Sequence, residues 1–252
     1  MQKRSLWAVL AAVLLMVLAT NGAMADEDVF TSGDYQYCIL EDGTAEITRY
    51  SGEDSVLKIP NTLDGKTVTS IGDGAFAECS SLTSIELPDS VTSIGDRAFL
   101  ECWSLTSIEL PDSVTSIGES AFCGCDSLTT IELPDSVTRI GNEAFAWCST
   151  LTSIELPDSV TSIGDEAFSE CSALTNIELP DSVTRIGNGA FAWCSALTSI
   201  ELPDSMTSIG NSAFKECDNL TITVQRDSYA ARYAKDNNLN YTYPDANDWL
   251  NN

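Results

Sequence analysis

Residues 105–118 read LTSIELPDSVTSIG, and the same letters begin again at Leu82 and at Leu151. Extending the comparison outward from this stretch gives a period of 23 residues, with no insertion or deletion over about 150 residues. An ungapped period of this length is typical of solenoids, in which every repeat forms one coil and packs only against its neighbours. The stretch therefore predicts one structural unit that the chain uses seven times.

The positions that never change are mostly apolar. Each copy carries an Ile before Gly, a Phe after Ala, a Cys and a Leu, which in the first copy are Ile71, Phe76, Cys79 and Leu82. We expect these side chains to point inward, because burial of apolar surface is the main favourable term in folding. A single unit cannot offset the conformational entropy of ordering its own residues, so the stacking of units is what makes a core possible.

Within the unit, the sequence predicts a strand, a turn, a second strand and a helical turn. The alternation Ile85, Glu86, Leu87 is typical of a half-buried strand. The PDS that follows is a turn, and VTSI is a second short extended piece. The residue after the recurrent Gly, Asp96 in one copy, is Asp or Asn in six of the seven copies. Because Asp and Asn are preferred helix N-caps, the segment DRAFLEC is predicted to be one short helical turn that presses Phe99 into the core.

Residues 1–25 have the features of a secretory signal peptide. Lys3 and Arg4 precede an apolar run over residues 6–19, and the small-residue pattern that ends at Ala25 predicts cleavage there. The run is shorter than the roughly 18 to 20 apolar residues that a membrane span needs, although an uncleaved anchor is an alternative. The mature chain is therefore predicted to be exported, soluble and without a membrane span.

Charge and composition restrict the function. The formal net charge of −26 excludes nucleic acids and anionic membrane surfaces as partners, because both repel an acidic protein. The chain contains no His, which removes Ser/His/Asp and Cys/His nucleophiles and all His-containing metal sites. A paired-carboxylate hydrolase is the remaining catalytic alternative. No acidic residue stands apart from the repeat, so we predict that the chain is not an enzyme and needs no cofactor.

The frame CxxLTxIxLPxxVTxIGxxAFxxC resembles the bacterial leucine-rich repeats of BspA-type surface proteins, and its copies cover residues 68–220. The stretch from Asp42 resembles the first coil of that family, with LKIP in place of IELP. A later stretch, DSYAARYAKDNNLNYTY, resembles the carboxyl-terminal cap. By this resemblance, Ser228 caps a helix that runs through about Asn237, and residues 240–243 form a closing strand.

The resemblance implies a right-handed leucine-rich-repeat superhelix of short parallel strands and short helical turns, with a cap at each end. The predicted divisions are a signal peptide at 1–25, an N-terminal cap and irregular first coil at 26–67, the solenoid at 68–220, and a C-terminal cap and tail at 221–252. The resemblance also implies a secreted or cell-surface binding protein, in some members an adhesin for host matrix proteins. No wall-anchoring or sorting module is visible, so attachment to a cell is left open.

Seven of the nine cysteines recur at one frame position, from Cys79 to Cys217. Neighbours in a stack of coils would lie close enough for disulfides, but the frame directs these side chains inward instead of along the solenoid axis. We therefore predict a ladder of buried thiols that behave as small apolar groups. Cys38 and Cys123 lie outside the frame. Cys123 is predicted to be an exposed thiol, and its CxC with Cys125 is too short to predict a metal site.

One outward position of the strand is also unchanged. It holds the glutamate row, which consists of Glu86, Glu109, Glu132, Glu155, Glu178 and Glu201. The row is flanked by Ser107, Thr130, Ser153, Asn176 and Ser199. Because adjacent carboxylates at strand spacing repel each other, the row is a candidate concave binding face for a basic protein segment, with bound Ca²⁺ as an alternative. A third interpretation is a solvated row that recent duplication copied, since DSVTRIGN and AFAWCS both recur after 46 residues.

A few residues depart from the repeat and are secondary candidates for partner contacts on other faces. Arg139 and Arg185 replace a Ser of the second extended piece, and Trp147 and Trp193 replace polar or charged residues before the Cys. Trp103 is a further aromatic residue off the frame. Trp and Arg are enriched at binding hot spots. The alternative is that the Trp rings only cover the ends of the helical turns.

Together these observations predict an exported, monomeric, non-enzymatic protein-binding module. Its expected partner is a protein, either a basic segment or an extracellular-matrix component. The alternative function is an adhesin for host matrix proteins or glycans.

Overall fold

Each repeat forms one coil of a parallel-strand solenoid. The computed structural model describes residues 28–244, which form about nine coils of about 23 residues each. The predicted repeat solenoid is therefore confirmed. The predicted signal peptide at 1–25 lies outside the described residues. Within 28–244, no helix is long and apolar enough to cross a membrane.

The N-terminal part begins with a small antiparallel sheet that joins the solenoid. Its strands and those of the irregular first coil are β1 (Phe30–Ser32), β2 (Tyr35–Ile39), β3 (Ala45–Tyr50), β4 (Val56–Lys58), β5 (Thr62–Leu63) and β6 (Lys66–Ile71). The first three strands pair antiparallel, and β3 then pairs in parallel with β6. The longer path between Pro60 and Ile71 is taken up by the antiparallel pair of β5 and β6.

The repeats contribute two rows of very short strands. The long-strand row comes from the SIE letters and contains β7 (Ser84–Glu86), β9 (Ser107–Glu109), β11 (Thr130–Glu132), β13 (Ser153–Glu155), β15 (Asn176–Glu178), β17 (Ser199–Glu201) and β19 (Thr221–Thr223). The short-strand row contains β8 (Ser93–Ile94), β10 (Ser116–Ile117), β12 (Arg139–Ile140), β14 (Ser162–Ile163), β16 (Arg185–Ile186) and β18 (Ser208–Ile209). Equivalent residues of neighbouring coils are opposite each other, as Ile154 is to Ile177. Each strand therefore buries its Ile and exposes the polar residues beside it.

The third side of each coil is the turn segment, which runs from the recurrent Gly to the Cys (residues 95–102 in one coil). It consists of consecutive tight turns, with hydrogen bonds three residues apart such as Leu100 N–H to the Arg97 carbonyl at 3.0 Å. Arg97 and Glu101 have φ of 57° and 56°, whereas an α-helix needs negative φ throughout. The predicted short helical turn is therefore wrong in its backbone conformation. It is right that the segment presses Phe99 into the core.

The recurrent Asp or Asn after Gly bonds to the next coil and does not cap a helix. Asp73 Oδ1 accepts from the backbone N–H of Asp96 at 2.8 Å, and Asp96 Oδ1 accepts from that of Glu119 at 2.7 Å. The pattern continues from Asn142 onward to the last repeat. The N-cap interpretation of this position is wrong.

Backbone hydrogen bonds join the turn segments into a third ladder. In one coil the N–H groups of Arg97, Phe99 and Glu101 donate to carbonyls of the following coil, each at 2.8 Å. The same three bonds form in all six coils that have a following repeat, at 2.7–3.0 Å. Every one of these bonds runs from a donor to an acceptor nearer the C-terminus. The last repeat has no following repeat to receive them.

The recurrent Phe side chains form a continuous stack inside the solenoid. Consecutive ring centroids lie 5.2–5.5 Å apart, and the rings are within 12° of parallel. Tyr50 and Tyr35 extend the stack at its N-terminal end, with centroid distances of 5.4 and 5.3 Å. Tyr233 closes the C-terminal end by meeting Phe214 edge-on at 6.5 Å. One aromatic stack therefore joins both caps to the repeats.

The periodic cysteines are free thiols that bond between coils. Cys102 Sγ donates to the Phe76 carbonyl of the preceding coil at 3.1 Å, and the same contact recurs as far as Cys217. All nine cysteines of the chain are unbridged. The predicted thiol ladder is confirmed within this structure. Cys123 is half-buried, so the prediction that it is an exposed thiol is wrong.

Ionisation of these thiols should make the fold sensitive to alkali. Burial raises the pKa of Cys102 and Cys171 from 9.0 to about 12. The unfolded chain releases these protons near pH 9 and the folded chain does not, so the free energy of unfolding falls as pH rises from about 9 to about 12. Each such thiol contributes about 1.4 kcal/mol per pH unit. Urea unfolding at pH 10, 10.5 and 11, which lie between the two pKa values, measures the slope.

The variant Cys171→Ala provides the control for this prediction. It should have a slope that is smaller by about 1.4 kcal/mol per pH unit, because one ionisable group is gone. Unfolding without reductant should expose nine thiols to a thiol reagent. A slope unchanged in the variant would contradict the assignment.

The C-terminal end carries a short helix and a closing strand. Helix α1 (Tyr229–Asp236) begins after Ser228, whose side chain accepts from the Ala231 N–H at 3.0 Å. Strand β20 (Asn240–Thr242) pairs in parallel with β19. The helix capped by Ser228 and the closing strand predicted after it are both present. The Tyr233 hydroxyl of α1 donates to the Gly210 carbonyl at 3.0 Å and so fixes the helix to the last coil.

Candidate functional site

The glutamate row lies where the sequence predicts it. Each member is the third residue of a long strand, next to a buried Ile, and all six are exposed. Glu86 is opposite Glu109 in the sheet register, and Glu155 is opposite both Glu132 and Glu178. Parallel strands are about 4.8 Å apart. The six carboxylates therefore follow one line along the solenoid.

The two ends of the row differ from its middle. Lys58 of β4 is opposite Glu86 and forms an ion pair with it. At the other end, Thr223 is opposite Glu201, so the acidic line stops there. The four inner glutamates form no ion pair within residues 28–244. Adjacent carboxylates at this spacing repel by roughly 1 kcal/mol even in water, so a cationic partner would relieve a cost that the fold carries.

The backbone beneath the row is held rigidly. In three coils, the Thr that precedes the long strand donates its hydroxyl to the equivalent Thr carbonyl one coil earlier, as Thr106 does to Thr83 at 2.9 Å. Thr152 and Thr175 do the same. The flanking residues at the start of each strand, such as Ser107 and Ser153, are exposed on the same side as the carboxylates. The row is therefore a preformed surface of acceptors with hydroxyl neighbours.

The Ca²⁺ alternative has no ligand set in the described part of the chain. Within residues 28–244, no group of three or more His, Cys, Asp or Glu side chains is arranged to hold a metal ion. A straight line of outward carboxylates cannot surround an ion, because Ca²⁺ takes six to eight oxygen ligands.

Arg139 and Arg185 lie on the short-strand row, away from the glutamates. Arg139 is opposite Ser162, and Arg185 is opposite both Ser162 and Ser208. Both arginines are exposed. They place two positive charges two coils apart on a second face, as the sequence predicts, and they do not join the glutamate row.

The tryptophans lie on the turn-segment side. Trp147 and Trp193 are 48% and 44% exposed and occupy the second positive-φ position of their segments. Lys215 Nζ lies 5.7 Å from the centre of the Trp193 ring, within the range of a cation–π interaction. Trp103 follows a buried Cys and is also exposed. The three rings thus offer apolar surface on a face that the glutamates do not share.

Some carboxyl groups of the turn segments have a raised pKa. Partial burial, followed by the negative charges of Glu78 and Asp126, raises the pKa of Glu101. Partial burial and the charges of Glu166 and Glu119 do the same for Glu143. Burial is the main cause of the raised pKa and the acidic residues of neighbouring coils add to it, so these groups bind a proton more readily than ordinary surface glutamates do.

One feature was missed by reasoning from the sequence. In the last repeat, the backbone N–H groups of Ser212, Phe214 and Glu216 have no acceptor within residues 28–244. We call these three groups the donor row. A cavity of about 260 Å³ adjoins it and is lined by residues that include Glu216, Asp218 and Leu239. The sequence does contain one indication of it, because the last recurrent Phe is Phe214 and no further repeat follows.

Comparison with a family model and with solved structures identifies leucine-rich repeat proteins in both cases. The family model for the BspA type leucine rich repeat region matches residues 55–146 and 116–234, with six copies. No curated protein sequence matches the chain. A leucine rich repeat protein of T. pallidum is 32% identical, and the alignment covers 87% of this chain and 99% of that one with a TM-score of 0.72. A leucine rich cell surface protein of Faecalibacterium prausnitzii is 23% identical over 92% of this chain and 98% of that one, with a TM-score of 0.48.

Proposed function

The chain belongs to the BspA-type leucine-rich repeat family, and we propose on that premise that it is an exported protein-binding module without a catalytic role. Its binding surface is the glutamate row together with the hydroxyl and amide side chains beside it. Its partner is a protein segment rich in Lys or Arg. Export, by way of the signal peptide expected at residues 1–25, places the module outside the cell or on its surface.

The observation that carries this proposal is the unpaired middle of the glutamate row. Four exposed carboxylates stand in line on a rigid backbone with no cation of their own within residues 28–244. A binding partner that supplies the missing positive charges gains attraction from each of them and relieves their mutual repulsion. Such complementarity favours fast association and specificity for basic partners.

The spacing of the row suits an extended segment. Alternate side chains of an extended strand project from one face about 6.7 Å apart, so three of them span about 13 Å. Four successive coils of the row span about 14 Å. A segment with Lys at every second position can therefore place its charges along the four inner glutamates, and the flexible stems adjust the remaining difference.

We predict that removing the inner charges weakens binding of a basic probe. The probe is a capped peptide with the sequence Lys-Thr-Lys-Thr-Lys. The variant carries Glu→Gln at Glu109, Glu132, Glu155 and Glu178. Its affinity should fall at least about tenfold, since several close charge pairs are lost. Fluorescence anisotropy at low ionic strength measures the affinity, and circular dichroism verifies the fold.

A matched variant separates the surface from the net charge. It carries Asp→Asn at Asp89, Asp112, Asp135 and Asp158, which are exposed turn residues of four successive coils. Both variants lose four negative charges, but the Asp→Asn variant loses them outside the glutamate row. Its affinity for the peptide should therefore change by less than about threefold. An equal loss in both would mean that only the overall charge attracts the peptide and would defeat the proposal.

Glycan binding is the rival function that one observation favours. Trp147 and Trp193 keep nearly half of their surface exposed, and exposed aromatic rings are enriched at binding hot spots. Oligosaccharide binding that disappears in Trp147→Ala and persists in the Glu→Gln variant would favour this rival.

A further inference from the structure

The third ladder ends at the last repeat with three backbone N–H groups that have no acceptor within residues 28–244. In the six earlier repeats, three backbone N–H groups per coil donate to three carbonyls of the next coil at 2.7–3.0 Å. The donor row of the last repeat has the same backbone conformation, with φ of 57° at Ser212 and 59° at Glu216, but no acceptor within 28–244. The donor row therefore offers a partner the same three donors that the earlier repeats offer to the carbonyls of the next coil.

The two caps treat their ends of this ladder differently. At the N-terminal end, the Tyr50 N–H donates to the Ala75 carbonyl at 2.8 Å and so satisfies one of the three acceptor carbonyls of the first turn segment. At the C-terminal end, Tyr233 covers the ring of Phe214 and donates its hydroxyl to Gly210. Neither contact supplies an acceptor to the donor row. The cap closes the aromatic stack and leaves the backbone edge open.

The cavity beside the donor row indicates what kind of side chain would enter. Its volume of about 260 Å³ is below the range of pockets for drug-sized ligands, which starts at about 300 Å³, and suits one side chain. Leu220, Ile222 and Leu239 supply apolar lining, while Glu216 and Asp218 supply negative charge. Lys and Arg bury an apolar stem and keep a charged head at a polar rim, so they match this lining.

We propose that this end of the solenoid binds a protein segment that takes the place of a further turn segment. Its backbone carbonyls accept from Ser212, Phe214 and Glu216, and its Lys or Arg side chain enters the cavity beside Glu216 and Asp218. The site is separate from the glutamate row and does not depend on it. It extends the ladder in the way that strand addition extends an open sheet edge.

The chain itself contains an occupied version of this site. The Lys215 carbonyl accepts from the Trp193 N–H at 2.8 Å, and Lys215 Nζ lies over the Trp193 ring at 5.7 Å. One coil further on, the position of Trp193 is held by Glu216. A segment bound like residues 210–217 would therefore place its Lys next to a carboxylate, where an ion pair replaces the cation–π contact.

The experiment follows the backbone amides directly. The probe is the capped peptide Gly-Asn-Ser-Ala-Ala-Lys-Glu-Ser, which copies residues 210–217 with Ser in place of Cys217 and Ala in place of Phe214, because Tyr233 already covers the ring that this Phe would stack on. In the free ¹⁵N-labelled full chain, the amides of the donor row should exchange at least 100-fold faster than those of Gly189, Phe191 and Trp193. Saturating peptide should slow their exchange at least tenfold. Unchanged exchange in the presence of peptide would overturn the proposal.

Two variants test the acidic rim. Glu216→Lys should weaken peptide binding at least tenfold, and a peptide with Glu in place of Lys should bind this variant better than it binds the original chain. Glu170→Lys is the control. Glu170 has the same repeat position as Glu216 and a positive φ of 63°, but its backbone N–H donates to the Ala192 carbonyl. It should change the affinity by less than twofold. An equal loss in both variants would overturn the proposal.

Two further outcomes separate this site from others. Peptide binding should persist in the variant with four Glu→Gln changes in the glutamate row, so the two proposals can fail independently. A chain that ends at Pro244 should bind the peptide as the full chain does. Slow donor-row exchange in the free full chain that becomes fast after this truncation would assign the row to residues 245–252 and overturn the proposal.

Discussion

Replacing Phe145 with Ala is expected to lower the free energy of unfolding by about 3–5 kcal/mol. The ring is fully buried and lies 5.5 Å from both Phe122 and Phe168. Its removal leaves a cavity between two neighbours that the backbone ladders hold apart, so the site cannot collapse to fill the space. Urea unfolding followed by circular dichroism measures the change.

Two variants show whether the position in the stack matters. Phe214→Ala should cost less than Phe145→Ala, because Phe214 has a stacked ring on one side only and meets Tyr233 edge-on. Phe145→Leu should cost less than about 1.5 kcal/mol, since it keeps most of the buried volume. A loss below about 1 kcal/mol for Phe145→Ala would mean that the stack is not the main source of cohesion between coils.

The second large effect is expected at the recurrent Gly. We predict that Gly187→Ala lowers the free energy of unfolding by about 3 kcal/mol, the upper end of the usual cost of overpacking. A Cβ at this position would lie 2.4 Å from the backbone N of Asp165 and from the carbonyl carbon of Gly164. Both atoms belong to the preceding coil, so the two coils would have to separate. Urea unfolding of the variant measures the cost.

Gly189→Ser, two residues later, is the matched control. Gly189 has a φ of 60°, and the nearest atom to an added Cβ is the flexible side chain of Glu166 at 3.2 Å. Ser120 and Ser212 already occupy this repeat position with positive φ. The change should therefore cost less than about 1 kcal/mol. If Gly187→Ala were as mild as this control, the close approach of successive coils would not limit the fold.

Much of the fold follows from the sequence because the core is periodic. Ile85 and Phe99 are buried as expected, and the outward position of Glu86 follows from strand alternation alone. The turn segment is different. Its Asp or Asn followed by Ala and Phe matches the signature of a helix start, but the side chain bonds to a residue 23 positions away. The N-cap preference considers only residues close in sequence, so it cannot predict a hydrogen-bond partner at that distance.

The positive-φ residues illustrate the same limit. Left-handed backbone usually predicts Gly, yet Arg97, Glu143 and Trp193 adopt it. The interactions that hold these residues there come from the third ladder, which exists only after coils have stacked. The glutamate row could be predicted because it depends on one strand. The donor row could not, because it arises from the absence of an eighth repeat and not from any residue type.

The one-way direction of the third ladder makes the turn-segment side of the solenoid electrically polar along the axis. Each peptide unit carries a dipole of about 3.5 D, and aligned units add as they do in a helix. Here the alignment comes from the bonds between turn segments, all with the N–H group facing the C-terminal end. Each added repeat therefore lengthens a dipole whose positive pole is the last coil, where Glu216 and Asp218 lie. The acidic residues at that pole are favourably placed by the same rule that puts Asp and Glu at the start of a helix.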